Sequence, residues 1–237
     1  MIGLGTVINA GAIVAGGIAG LVGGRLLTPR IQETLMRSTA VCVMFVGIAG
    51  AIEQMMSVHG SGLSSGGTAR ILVSLAVGSL AGEAADLEGL MGRFGAWVRE
   101  KSGNGGDGSF VDAFVTASLT VCIGAMAVVG AIQDGVSGDW GTLALKGALD
   151  ALIVCVMAAS LGRGAIFSAI PVAIFQGSVT LAARGIAPLL TDAAVNGISM
   201  VGSILIFCVG VNLIWPKTFR VANMLPAVLV AAVAAAV

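Results

Sequence analysis

The sequence predicts an all-α fold, a polytopic transmembrane bundle of about eight helices, and three observations carry that prediction. Hydrophobic residues make up 57% of the chain and charged residues only 10%, with a mean hydropathy of +1.03; an average soluble domain is roughly 25% charged. Apolar stretches recur at lengths near the roughly 20 residues that cross about 30 Å of hydrocarbon as a helix. The loops between them alternate between basic and base-free along the whole chain.

The stretches run over residues 3–24, 34–57, 68–84, 110–132, 142–161, 163–186, 192–214 and 218–237. In hydrocarbon each must satisfy its own backbone, and at these lengths only a helix does so. No Lys or Arg precedes the first stretch and no cleavage site follows it, so it reads as a first transmembrane helix and not a removable signal. The loops after the first, third, fifth and seventh stretches hold Arg25, Arg30 and Arg37; Arg93, Arg99 and Lys101; Arg163; and Lys217 with Arg220. The other loops hold His59, Asp134, Asp139 and Asp192, with Arg70 and Arg184 only at helix margins. The positive-inside rule makes the first set cytoplasmic and puts both termini outside, in a multi-pass protein of the inner (plasma) membrane.

Between the third and fourth stretches, residues 83–101 mix Leu87, Leu90, Met91, Phe94 and Trp97 with Asp86, Glu88, Arg93 and Arg99. Apolar residues spaced by three and four predict an amphipathic helix lying on the cytoplasmic surface. The SGNGGDG that follows reads as a flexible linker. The chain is thus one membrane domain, 1–237, divided into residues 1–84, the segment and linker 85–109, central helices 110–161, and 162–237.

The first and last of these divisions resemble each other. Displacing the chain so that Gly5 falls on Gly164 also superimposes Ala10 on Ala169, Arg25 on Arg184 and Pro29 on Pro188. Further on, Arg70 before the third stretch matches Arg220 before the eighth. Helices 1–3 and 6–8 start on opposite sides, so the copies form an inverted repeat, the usual basis of alternating access, with the site expected at the repeat interface near the midplane. Gly16 and Gly17 there lie opposite Gln176 and Gly177, allowing one residue of slip.

Several residues are candidates for chemistry, each beside a plainer reading. Glycine numbers 36 of 237 residues, about twice the usual roughly 7%. Gly16, Gly20 and Gly24, like Gly78 and Gly82, line one helical face, which first of all permits close helix packing. Pro171 cannot donate a backbone hydrogen bond and is expected to kink or break the sixth helix, freeing carbonyls at depth. Asn9, Ser168, Gln176 and Ser178 supply polar groups nearby, for a solute or for interhelical hydrogen bonds. Lys146 and Asp150, four residues apart, share a face of the fifth helix. They form either a mutual ion pair or, at Asp150, a carboxylate that couples transport to an ion or proton.

Other chemistries lack their parts. Cys42, Cys122, Cys155 and Cys208 all fall in apolar stretches without CxxC spacing, so they read as small buried hydrophobes. No metal site or cofactor is expected, and His59 is the single histidine. Gly62-Leu63-Ser64-Ser65-Gly66 matches GxSxG but lies in a Ser/Gly-rich outer loop without the strand and helix that give that motif its geometry. No Walker loop is present, and a formal net charge of zero leaves nucleic acid no electrostatic footprint. The chain is therefore not expected to be an enzyme.

The wording of several segments resembles a known family. FVTASLTVCIGAMAVVGAIQDG from Phe114, SLGRGAIFSAIPVAIFQGSVTL from Ser160, the opening GTVINAGAIVAGGIAG and the late GVNLIWPKTFRVANMLPAVL look like the stretches of the bacterial domain-of-unknown-function 554 family, the YdfK/YqgA type. The resemblance covers essentially the whole chain and implies a polytopic inner-membrane protein with transport as its implied role. It singles out Ser118, Cys122, Gly124 and Met126, then Gln133, Asp134 and Gly135, then Gln176, Gly177 and Ser178, and finally Asn223 and Pro226.

The expected function is a secondary transporter or facilitator of a small solute, an amino acid or carboxylate, working by alternating access. Asn9, Gly16, Gly17, Ser118, Ser168, Gln176, Gly177 and Ser178 are the expected substrate-binding residues, and Asp150 the ion-coupling one. The expected partners are the lipid bilayer, the solute, a coupling cation and a second copy in a homodimer. A channel, or a non-transporting membrane scaffold whose glycine stripes serve packing, is the alternative.

Overall fold

A computed structural model describes residues 1–59, 62–187 and 191–236 of the protein. It is a bundle of helices with one small hairpin. Helix α1 (Leu4–Gly24) carries no charge and starts from Gly3, whose φ of 87° suits a residue without Cβ. Helix α2 (Pro29–Met55) begins with Pro29 in its first turn, where a missing N–H costs nothing. A two-stranded hairpin pairs β1 (Met56–His59) with β2 (Gly62–Ser65), so the expected outer loop is in part a sheet, and its GxSxG match sits on a hairpin strand instead of a nucleophile turn. Helix α3 (Thr68–Ala85) ends at Asp86, whose φ of 48° separates it from α4 (Leu87–Lys101), and the Asp86 carboxylate accepts the Gly89 amide at 3.2 Å. The amphipathic segment is therefore a separate, capped helix. Its Gly95 and Val98 are buried, Phe94 meets Phe114 edge-on at 5.7 Å, and Leu90 and Trp97 are exposed.

The fourth expected span is broken. Helix α5 (Phe110–Cys122) stops at Ile123, which is extended, and Gly124 has φ 137° and ψ 152° before α6 (Ala125–Ser137) starts. The two halves bend by 64°. Helix α7 (Gly141–Leu161) is continuous, and a 3-10 turn, Arg163–Ser168, leads into α8 (Ala169–Ile186). Pro171 thus falls in the first turn of α8, where its missing N–H breaks no ladder, and the expected break in the sixth helix is corrected to the fourth. Helix α9 (Asp192–Ile214) is capped by Thr191, whose hydroxyl accepts the Ala194 amide at 3.2 Å. The chain closes with α10 (Val221–Met224) and α11 (Pro226–Ala236). Pro188, one of the repeat's matched residues, lies outside the described residues.

Six helices among the described residues are long and apolar enough to cross a membrane: α1, α2, α3, α7, the 3-10 turn with α8, and α9. The bent α5–α6 pair passes the same test jointly, and α10–α11 is a shorter apolar helix. The basic ends gather together: Ser160 donates to the Gln32 carbonyl at 3.1 Å, Lys217 lies 3.7 Å from Asp112, and Arg220 pairs with Glu83. At the opposite end the buried Asp134 carboxylate accepts the Gly3 and Gly5 amides at 3.2 and 3.0 Å, tying the start of α1 to α6.

Glycine sets the closest helix contacts. A Cβ on Gly16, Gly20 or Gly24 would strike the backbone of Ala151, Cys155 or Ala159, so α1 and α7 run parallel with their backbones in contact. Gly47 of α2 meets α9 at Ser203 and Phe207, and Gly210 of α9 meets α2 at Ala40 and Met44, which makes that pair antiparallel. Gly78 and Gly82 meet Ala227 and Asn223 in the same antiparallel manner. Ile13, Val121, Val154, Met157 and Val172 form the apolar cluster at the centre.

Candidate functional site

The site forms where α1 crosses α8 beside α7 and the break in the fourth span. Helix α1 approaches α7 through Gly147, where a Cβ would lie 3.1 Å from the Asn9 Cα, and this fixes the depth of Asn9. Its side chain is fully buried, and its Nδ2 donates to Gln176 Oε1 at 3.2 Å. Two adjacent helices thus share one amide pair, an interhelical hydrogen bond between two of the polar residues picked out in the sequence. One hydrogen bond satisfies only half of each amide. Among the described residues Asn9 Oδ1 and Gln176 Nε2 have no partner, and neither do the hydroxyls of buried Thr6, Ser168 and Thr180. A buried polar group without a partner costs about 1–3 kcal/mol. Thr6 precedes Asn9 by three residues and Thr180 follows Gln176 by four, so both extend the same helix faces. Neither threonine was singled out in the sequence, although that spacing was there to find.

Next to this crossing lies an ion pair. Lys146 Nζ, buried, bonds to Asp150 Oδ2 on its own helix and donates to the Val121 carbonyl at 2.6 Å. The Asn9 side chain also reaches the Asp150 carboxyl. Val121 belongs to the last turn of α5, whose carbonyls lose their helical partners because the chain turns away at Ile123. Lys146 therefore satisfies backbone that the break frees, and the i,i+4 spacing seen in the sequence becomes a three-way contact.

The remaining expected site residues divide. Ser168 ends the 3-10 turn and Ser118 is buried on α5, where its hydroxyl donates to the Phe114 carbonyl at 2.6 Å. Gly17 faces Ile166 and Gly16 faces the α7 backbone, so both are packing positions. Ser178 is exposed and donates to the Phe175 carbonyl at 2.7 Å, and nothing lies within 4 Å of where a Gly177 Cβ would stand. The two placements have one cause: a helix turns about 100° per residue, so the neighbours of Gln176 in sequence point away from it.

A cavity of about 300 Å³ opens near the basic end between α4, α5 and α9, lined by Glu88, Ser109, Asp112, Asn212 and Lys217 together with apolar side chains. Along α5 it reaches Leu119, about one turn short of the break. Glu88 also anchors this end: its Oε2 accepts the Ala222 amide at 3.1 Å, its own amide donates to Asn223 Oδ1 at 2.7 Å, and burial raises its carboxyl above the ordinary value. No group of His, Cys, Asp and Glu that could hold a metal occurs among the described residues.

Comparison with known proteins gives a consistent kinship. The profile of the family described as "Protein of unknown function (DUF554)" matches residues 4–236. The "Uncharacterized membrane protein YdfK" of Bacillus subtilis (strain 168) is 30% identical over 226 residues, 95% of this chain and 93% of the relative. The "Uncharacterized protein YqgA" of Escherichia coli (strain K12) is 29% identical over 232 residues, 96% of this chain and 94% of the relative. No solved structure matches.

Proposed function

Given that the chain belongs to the DUF554 family of unknown function, we propose that it is a secondary transporter or facilitator of a small solute, working by alternating access. The observation that carries this reading is the break at Ile123–Gly124 beside the Asn9–Gln176 pair and the Lys146–Asp150 pair. Interrupted helices with polar groups at depth are what solute sites in the membrane are made of, because freed backbone is tolerated there only inside protein or along a cavity. Gln176 Nε2 and the Thr6 and Thr180 hydroxyls supply unpaired hydrogen-bonding groups, which suits a carboxylate-bearing solute such as an amino acid. Asn9, touching both pairs, links solute to Asp150, the coupling residue. The cavity at the basic end is the inward path, and the basic end is the cytoplasmic one.

The packing of like-placed helices supports an inverted repeat of α1–α3 and α8–α11. One displacement carries Gly47, Ala40 and Met44 onto Gly210, Ser203 and Phe207, so each glycine meets the counterparts of the other's neighbours. On α1 and α8, Ile13 and Val172 correspond under the displacement that matches Ala10 to Ala169, and both are buried in one cluster. Contacts that map onto themselves with helix direction reversed are what an in-plane twofold produces.

Proteoliposome flux tests the proposal, on solutes chosen by thermal stabilisation of the purified protein. A saturable flux with counterflow, lost in Gln176→Ala while the variant remains folded, is the expected result. Unsaturable flux without counterflow makes the protein a channel, and no flux of any stabilising solute sinks the reading.

A further inference from the structure

We propose that the Lys146 ammonium fills a monovalent cation site built by this fold, standing where a sodium ion would otherwise bind, so that the wild-type protein works without sodium. The inference deepens the carrier reading, since Asp150 is the coupling residue of that reading, but the geometry behind it is independent of flux.

The surroundings of Nζ are those of a small hard cation. Its hydrogen-bond partners are oxygens: the Val121 carbonyl at 2.6 Å and a carboxylate oxygen of Asp150. Carbonyl and carboxylate oxygens are the donors that select hard cations. The site also lies at the carboxy-terminal end of α5, a helix of 13 residues, where the aligned peptide dipoles leave partial negative charge. In discontinuous transporter helices, unwound carbonyls and half-helix carboxy termini are the groups that coordinate cations. Here a side chain of the protein supplies the positive charge. The tether makes its occupancy independent of the salt outside, and sodium can enter only if the ammonium is removed.

Lys146→Met is the test variant, because methionine retains the chain of heavy atoms as far as the lysine Cε and vacates only the nitrogen. Thermal midpoints of the purified protein are measured in sodium, potassium and choline chloride at equal ionic strength. The wild type is expected to unfold at one temperature in all three. Lys146→Met is expected to unfold earlier in choline and to regain stability with rising sodium, and Lys146→Met/Asp150→Asn to lose that response. Lys146→Ala, which opens the whole tail cavity, is expected to be rescued by methylammonium as well as by sodium. A sodium-specific rise in the wild type that Asp150→Asn abolishes overturns the inference, and so does a folded Lys146→Met indifferent to sodium. Because these readouts need no solute, absent flux with a sodium-responsive variant removes the carrier reading alone. Sodium-driven flux in the wild type removes the cation inference alone.

Discussion

Helix α1 presents two faces of opposite character. Toward α7 it offers Gly16, Gly20 and Gly24, which let two backbones touch and leave no room for a side chain. Toward α8 and the 3-10 turn before it, α1 offers Asn9 and Gly17, and among the described residues the buried Asn9 Oδ1 and Thr6 hydroxyl have no partner. The first face is backbone against backbone, whereas the second holds buried polar groups, each costing about 1–3 kcal/mol where it lacks a partner. A fold selected for stability alone would have no use for the second face. The contrast separates the glycine stripe, which is packing, from the amide crossing, which is the proposed site.

Substitutions on the two faces should therefore fail differently. Gly20→Leu puts a large side chain against the Cys155 backbone; its cost should exceed the ~1–3 kcal/mol of ordinary overpacking, since backbone cannot repack. No monodisperse protein is expected on size-exclusion chromatography, and a well-behaved Gly20→Leu would dissolve the comparison. Asp150→Ala leaves the Lys146 ammonium buried without its counterion, a loss of about 3–5 kcal/mol readable as a lower thermal midpoint. Asn9→Ala, on the second face, should cost only about 1 kcal/mol, because interhelical hydrogen bonds within membranes are modest, while abolishing flux. If stability and flux fall in proportion, Asn9 is a packing residue after all.

Smaller effects sharpen the contrast outside the crossing. Glu88 has its carboxyl raised in the folded state by burial, so it holds its proton more tightly there than in the unfolded chain. Its contribution to stability is complete below the unfolded value and is lost as pH rises through the folded one. Glu88→Gln, which retains an acceptor for the Ala222 amide, should flatten that part of the stability profile measured by thermal scans from acid to neutral pH. Ser178→Ala should change neither midpoint nor flux, since the hydroxyl bonds only within its own turn.

Most of the helices could be read from hydropathy and charge, because burial in lipid leaves its mark on every residue of a span. Residues 68–85 and 141–161 match the expected stretches to within a residue, and α4 follows the amphipathic spacing. The break in the fourth span could not be read. Cys122, Ile123 and Ala125 are as apolar as any residues in a span, and Gly124 is one glycine among 36; what turns the chain there is packing against other helices. Pro171 attracted the expectation instead, because proline is a visible breaker whose position within the first turn only a structure supplies. The Lys146–Asp150 pair was legible as i,i+4 spacing, but its third partner is a backbone carbonyl, which no residue type announces. Gln176 and Asn9 stood out as rare polar residues in apolar stretches, whereas Gly177 and Ser178 came in through the repeat and the family wording, neither of which says which way a helix turns each side chain.

Reactivity at Cys122, the last residue of α5 before the break, gives the most direct test of the central claim that access to this crossing alternates between the two sides. Cys122 is retained while Cys42, Cys155 and Cys208 are replaced by alanine, and an impermeant thiol reagent is applied to each face of oriented vesicles. The pair Asp112→Cys and Lys217→Cys, at the walls of the basic-end cavity, is then joined by a bifunctional methanethiosulfonate. The account predicts that joining the walls stops labelling of Cys122 from the basic side and preserves or speeds it from the other. Labelling from neither side in any condition, or unchanged labelling from the basic side once the walls are joined, would contradict it.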